Sequence, residues 1–142
     1  MKHTIRVFNA HPRYRLRHDS TIAFVRRVLR GEKVDRAALS IVFIPDRMMI
    51  ALNSTYLRHR YTTDVLSFPL NEHAKALEGE VYVNLDQAHR QAKEYSVSER
   101  EERKRLIIHG VLHLIGYDDT TGKRREQMHR QENIYLFDCT GT

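Results

Sequence analysis

Residues 98 to 116, SEREERKRLIIHGVLHLIG, constrain this chain more than any other stretch. Ser98 followed by Glu101 has the spacing of a capping box, and Glu99 with Arg103 and Glu101 with Arg105 stand four apart in the favourable order for helical ion pairs. The opening turns are therefore expected to face solvent. From Leu106 the pattern becomes LIIHGVLHLI, apolar nearly all round, as a helix needs if it runs through a core. Gly116 supplies the left-handed stop. A helix that is charged at one end and buried at the other fixes the centre of the fold, and the remaining elements must pack around it.

Two histidines interrupt the apolar half. On a helix, positions i and i+4 project from one face about a turn apart, so His109 and His113 can share one ion. The break at Gly116 lets the chain turn back and bring Asp119 to the open side of the pair, which would give two imidazoles and a carboxylate. Three protein ligands with a fourth position left for water is a common catalytic zinc arrangement. A single histidine on an apolar face is ordinarily a hydrogen-bonded core residue. Two at helical spacing, followed by Gly and Asp at these offsets, read as metal ligands. The spacing is also that of the long metalloprotease motif, but Gly110 stands where a peptidase carries its general-base glutamate, so a metallopeptidase reading loses its main catalytic group. Glycine at 110 is also expected to leave room beside the metal for a bulkier substrate.

Around this helix the periodicities predict strands at IRVF (5–8), LSIVFI (39–44), DVLSF (64–68) and EVYVN (80–84). A helix capped by Asp19 or Ser20 buries Ile22, Val25, Val28 and Leu29 and stops at Gly31. A second, capped by Asp46, carries Met49, Ile50, Asn53 and Leu57. Further helical patterns cover 85–95 and 122–137. The fold class is thus α+β, a small mixed sheet of about four strands packed with about five helices, with a zincin-like metal helix in the C-terminal half. At 142 residues, 41% hydrophobic and 30% charged, the chain reads as one globular unit, 1–142. No apolar run is long enough to span a membrane, no signal-peptide pattern opens the chain, and the cytoplasm is the expected location. The single cysteine, Cys139, allows neither an internal disulfide nor a thiolate cluster, so a metal must take nitrogen and oxygen ligands. Net charge is +6, and the first 30 residues hold eight Arg and Lys against one acid, Asp19. That asymmetry suits a polyanion surface, although solvated arginines would look the same.

HGVLHLIGYDD (109–119) resembles the signature of the YbeY family of bacterial metal-dependent endoribonucleases and ribosomal RNA maturation factors. LNSTYLRHRYTTDVLSFPL (52–70) agrees with a second family motif, EGEVYVN (78–84) with its glycine-containing strand, and Met128 with Glu132 with its last helix. The resemblance covers most of the chain from about residue 40. It implies a single α+β domain with one Zn2+ on three ligands and a cleft for single-stranded ribosomal RNA. It also implies action in small-subunit rRNA end processing and ribosome quality control, in the cytoplasm near the ribosome or its small-subunit proteins. The family's histidine ligands map to His109 and His113, and its arginine implicated in activity maps to Arg58. The commoner third ligand is histidine; here it is Asp119, whose negative charge makes a bound water less acidic and loosens the preference for zinc.

Arg58 suits phosphate oxygens, being planar and permanently charged, with a structural ion pair as the plainer role. Asp118 can serve chemistry or cap the turn, and His59 can do the same or lie exposed. Asp64 can orient a ligand imidazole, or form a turn with Thr63. Ser67 and Phe68 can line an RNA cleft or simply alternate in a sheet; Tyr56 and Tyr61 can stack on bases or pack. An RNA- or ribosome-binding assembly factor with a structural metal is the rival of the nuclease reading. Oligomeric state is not legible in the sequence.

Overall fold

The computed structural model describes residues 1–57, 62–71 and 76–137, with the Leu57 side chain outside that set. Among the described residues there are four strands and five α-helices: β1 (Lys2–Asn9), α1 (His18–Gly31), β2 (Arg36–Ile44), α2 (Asp46–Leu52), β3 (Val65–Pro69), β4 (Leu77–Asn84), α3 (Leu85–Glu94), α4 (Glu99–Ile115) and α5 (Gly122–Phe137). A wider π-helical turn, Asn53–Leu57, continues α2. The sheet order is β1-β2-β4-β3, with β1, β2 and β4 mutually parallel and β3 antiparallel at the edge. This is the mixed α+β sheet that the sequence predicts. No helix among the described residues is long and apolar enough to cross a membrane.

The strands alternate because one face meets helices. Ile5 and Val7, then Leu39, Ile41 and Phe43, then Val81 and Val83 are buried, and they share their side with Val25, Val28 and Leu29 of α1 and with Leu106, Ile107, Val111 and Leu112 of α4. Burying these side chains contributes roughly 1.5–3 kcal/mol each, which far exceeds what any surface ion pair here supplies.

Several local expectations need correction. Arg17, not Asp19 or Ser20, occupies the cap position of α1 and makes no side-chain cap bond; Ser20 Oγ instead donates to the Arg17 carbonyl. Gly31 is helical and has no positive φ. It is glycine because a Cβ there would stand 2.4 Å from the Tyr135 hydroxyl, and the turn that follows is made at Lys33 with φ 60°. Pro45 precedes α2, and Asp46 is its first residue. The Asp46 carboxylate faces the start of α3, where Arg90 grips both oxygens at 2.7 and 2.9 Å and Asn84 Nδ2 donates at 2.8 Å. Of the stripe expected on α2, Met49 and Asn53 are buried whereas Ile50 is exposed.

The two ion pairs expected on α4 do not form. Glu99 takes a hydrogen bond from His89, and Arg105 lies near Glu102 and Glu132. Nor do the first turns all face water, since Glu102 is 1% exposed. Burial pushes its carboxyl pKa up, against the hydrogen bond from Gln91 and the charge of Arg105.

Candidate metal centre

Helix α4 is held in place at both ends and in the middle. Ser98 Oγ accepts the Glu101 amide at 3.0 Å. At its centre Gly110 lies against the sheet: a Cβ there would sit 2.4 Å from Val81 Cγ1, and Ser67 Oγ donates to the Gly110 carbonyl at 2.8 Å. The space expected beside the metal at position 110 is therefore filled by Val81, Ser67 and Val65. Glycine is required there so that the helix can approach β3 and β4, which also assigns Ser67 to the helix contact rather than to a cleft.

At the C-terminal end Gly116 adopts φ 125°, and the Tyr117 amide returns to the Leu112 carbonyl at 3.0 Å. Tyr117 then anchors the returning chain by donating from its hydroxyl to Glu32 Oε1 at 2.6 Å; burial and that carboxylate push the phenol up to about 12. Asp118 closes the turn, accepting from the Thr120 amide and hydroxyl and from Arg124. That leaves the next residue, Asp119, to face α4.

His109, His113 and Asp119 converge as the spacing predicts. The two Nε2 atoms are 3.1 Å apart, Asp119 Oδ2 is 4.0 Å from His109 Nε2, and one ligand atom from each residue fits within 4.8 Å. Two nitrogens that each sit about 2.0–2.1 Å from one zinc at the tetrahedral angle lie about 3.3 Å apart, so the pair has the spacing that a shared ion needs. The donor set also fits, with two imidazoles and a half-exposed carboxylate on an open side.

The residue that orients the first imidazole is Glu132 of α5. Its Oε2 accepts from His109 Nδ1 at 2.7 Å, which turns Nε2 toward His113 and Asp119. Glu132 is 3% exposed, with His129 Nδ1 at 3.4 Å and Arg105 at 3.9 Å from its other oxygen. Burial opposes protonation of His109, but the bond and charge of Glu132 outweigh it and raise the pKa; burial and the neighbouring His109 lower that of His113. The sequence places Glu132 in the last helix without a role, and offers Asp64 either as the orienting acceptor or as a turn residue. Asp64 lines the same cavity, but only its charge reaches His109.

That cavity, about 720 Å³, opens beside the triad between α3, α4 and α5, with Leu106 and Met128 among its apolar residues and Arg105, Arg125 and Tyr95 among its polar ones. Arg58, His59, Tyr61 and Cys139 lie outside the described residues. Phe68 packs between Tyr56 and Tyr82, with ring centres 5.3 and 5.6 Å away, and Tyr56 is largely exposed.

Fold and site together define a class: an α+β protein whose central helix presents a His-His-Asp cluster able to hold a metal ion beside an open cavity. The family profile described as Endoribonuclease YbeY matches residues 8–139. Curated relatives carry the same description. The one from Chloroherpeton thalassium is 41% identical over 79% of this chain and 79% of its own length; that from Salinibacter ruber is 36% identical over 89% and 85%. The chain belongs to the endoribonuclease YbeY family. A Thermotoga maritima protein solved in solution shares the fold, with a TM-score of 0.65 and 23% identity over 94% of this chain and 87% of that one.

Proposed function

We propose that this chain is a metal-dependent endoribonuclease that cuts single-stranded regions of ribosomal RNA in small-subunit maturation, as one cytoplasmic domain working near the ribosome. The observation that carries the reading is the convergence of His109, His113 and Asp119 beside a cavity that His109 and Asp119 line, in a chain of this family.

His109, His113 and Asp119 would hold the ion, zinc by the nitrogen-rich donor set. When bound, the ion supplies Lewis acidity that makes water a nucleophile near neutral pH. The chain's own residues do the rest. Glu132 keeps the His109 proton on Nδ1, so that Nε2 stays a lone-pair donor. Arg125, in the first turn of α5, donates to the Asp119 carbonyl of the returning loop at 3.1 Å and lines the cavity where it can meet a phosphate oxygen. Arg58 is assigned the same task from the other motif. Tyr95, exposed at the cavity, offers a ring on which a base unstacked from a single strand can stack, and a duplex, whose bases stay stacked, gains nothing from it.

A cleavage assay on a structured RNA tests the reading, with wild type, His113→Ala and Arg58→Glu purified side by side. Nicking confined to unpaired segments, lost in His113→Ala and much reduced in Arg58→Glu, is the expected result. Equal nicking by all three would assign the activity to a contaminant. RNA binding with no turnover under any divalent ion would leave an assembly factor with a structural metal.

A further inference from the structure

The opposite flank of α4 carries a second concentration of chemistry that the metal centre does not use. At 100° per residue, Glu102, His109 and His113 share one side of α4, and Arg100, Lys104 and Ile107 lie on the other, turned toward α1. There a concavity of about 240 Å³ is lined by Phe24 and Arg27 of α1 and by Arg100, Arg103, Lys104 and Ile107 of α4.

Four cations surround this groove, and two of them are fixed on one ring. Lys104 Nζ stands 5.0 Å and the Arg27 guanidinium 5.3 Å from the centre of buried Phe24, while Arg27 also donates to the Tyr135 carbonyl. Arg100, Arg103 and Lys104 form no ion pair among the described residues. Glu99, the acid whose charge reaches Arg103, is engaged by His89. Burial lowers the pKa of both Arg103 and Lys104; Arg100 lowers each further, and Arg27 and Arg103 add to the effect at Lys104. Half-buried cations that repel one another cost the free protein stability, and an anion bound in their midst would relieve that cost.

We infer that this α1–α4 groove is a second RNA-binding site, separate from the metal centre, which grips the phosphodiester backbone of the same substrate RNA. Guanidinium groups suit phosphate oxygens, and Arg26 and Arg30 add positive charge to the same helix as Arg27. RNA is favoured over an anionic membrane because membrane-surface helices need exposed apolar side chains to insert. The large exposed apolar residues among those described are elsewhere than on α1 and α4. The inference goes beyond the nuclease reading, since binding here requires neither metal nor turnover.

The test is fluorescence anisotropy in EDTA with a labelled RNA hairpin of about 30 nucleotides bearing a single-stranded tail, across a salt series. The R100Q/R103Q/K104Q variant should bind about tenfold or more weakly near 0.1 M salt, and its slope of log Kd against log salt should fall by about two to three. Its Tm should stay level or rise, because repulsion is relieved. Arg100→Glu, an exposed change, should weaken binding in the same direction and guards against misfolding of the triple variant. Ile134→Ala, an exposed change on α5 that lines neither cavity, should keep wild-type affinity and slope. Unchanged affinity and slope in both basic variants would overturn the inference. So would loss of binding to phosphatidylserine vesicles, or to inorganic phosphate, with RNA affinity intact. Absence of nicking with this binding preserved would strike the nuclease reading and leave the groove standing.

Discussion

Nδ1 of His109 on α4 donates to Oε2 of Glu132 on α5 at 2.7 Å, across 23 residues of sequence. The bond ties the orientation of a candidate metal ligand to the docking of the last helix, so the centre and the fold share one contact. Replacing Glu132 with Ala should weaken metal affinity by about 10- to 100-fold, the usual cost of losing such a carboxylate. Glu132→Gln, which keeps an acceptor oxygen, should lose less. Competition with a calibrated chelator measures both, and wild-type affinity in Glu132→Ala would show that the His109 ring is oriented by something else.

Gly110→Ala places a methyl 2.4 Å from Val81 Cγ1, on a helix that cannot retreat without disturbing the sheet contact. Overpacking of this kind costs about 1–3 kcal/mol, and the thermal midpoint should drop by several degrees. Adding Val81→Ala should recover part of the loss, because the two side chains compete for one space. Full additivity of the two changes would contradict the packing account. A glutamate at this position would start from the same clash, which is the physical reason the peptidase base has no place here.

Asp46 predicts how the fold responds to acid. Hydrogen bonding from Arg90 chiefly, with help from Asn84 and Thr62 and against burial, holds its pKa at about 2. A carboxylate depressed in the folded state stabilises the protein above its unfolded value near 3.8 and loses that contribution as pH falls through about 2. With the pair partly exposed and screened, Asp46→Asn should cost about 1 kcal/mol at neutral pH. The gap between variant and wild type should close between about pH 4 and pH 2. Chemical unfolding at a series of pH values checks the sign; a gap that widens on acidification would refute it.

What was legible in the sequence is what is local. The capping serine, the long apolar run and the glycine stop place α4 to within a residue, and i, i+4 spacing with a turn of three places His109, His113 and Asp119 together. What failed depends on neighbours that no window contains. Gly110 looks like a gap, yet it is a packing requirement set by Val81; α1 does end at Gly31 as expected, but that glycine answers to Tyr135 rather than to a left-handed turn. Glu132 carries no local sign of its role, because only the docking of α5 on α4 brings it to His109. Asp46 resembles a cap until Arg90, 44 residues away, is seen to hold it.

The central claim is that His109, His113 and Asp119 hold one ion. Elemental analysis of freshly purified protein, beside His109→Ala and Asp119→Ala prepared identically, addresses it without assuming a substrate. About one equivalent of zinc per wild-type chain, none in His109→Ala and a marked loss in Asp119→Ala is the predicted result. Equal metal in all three, or none in any after reconstitution with excess zinc, would contradict it.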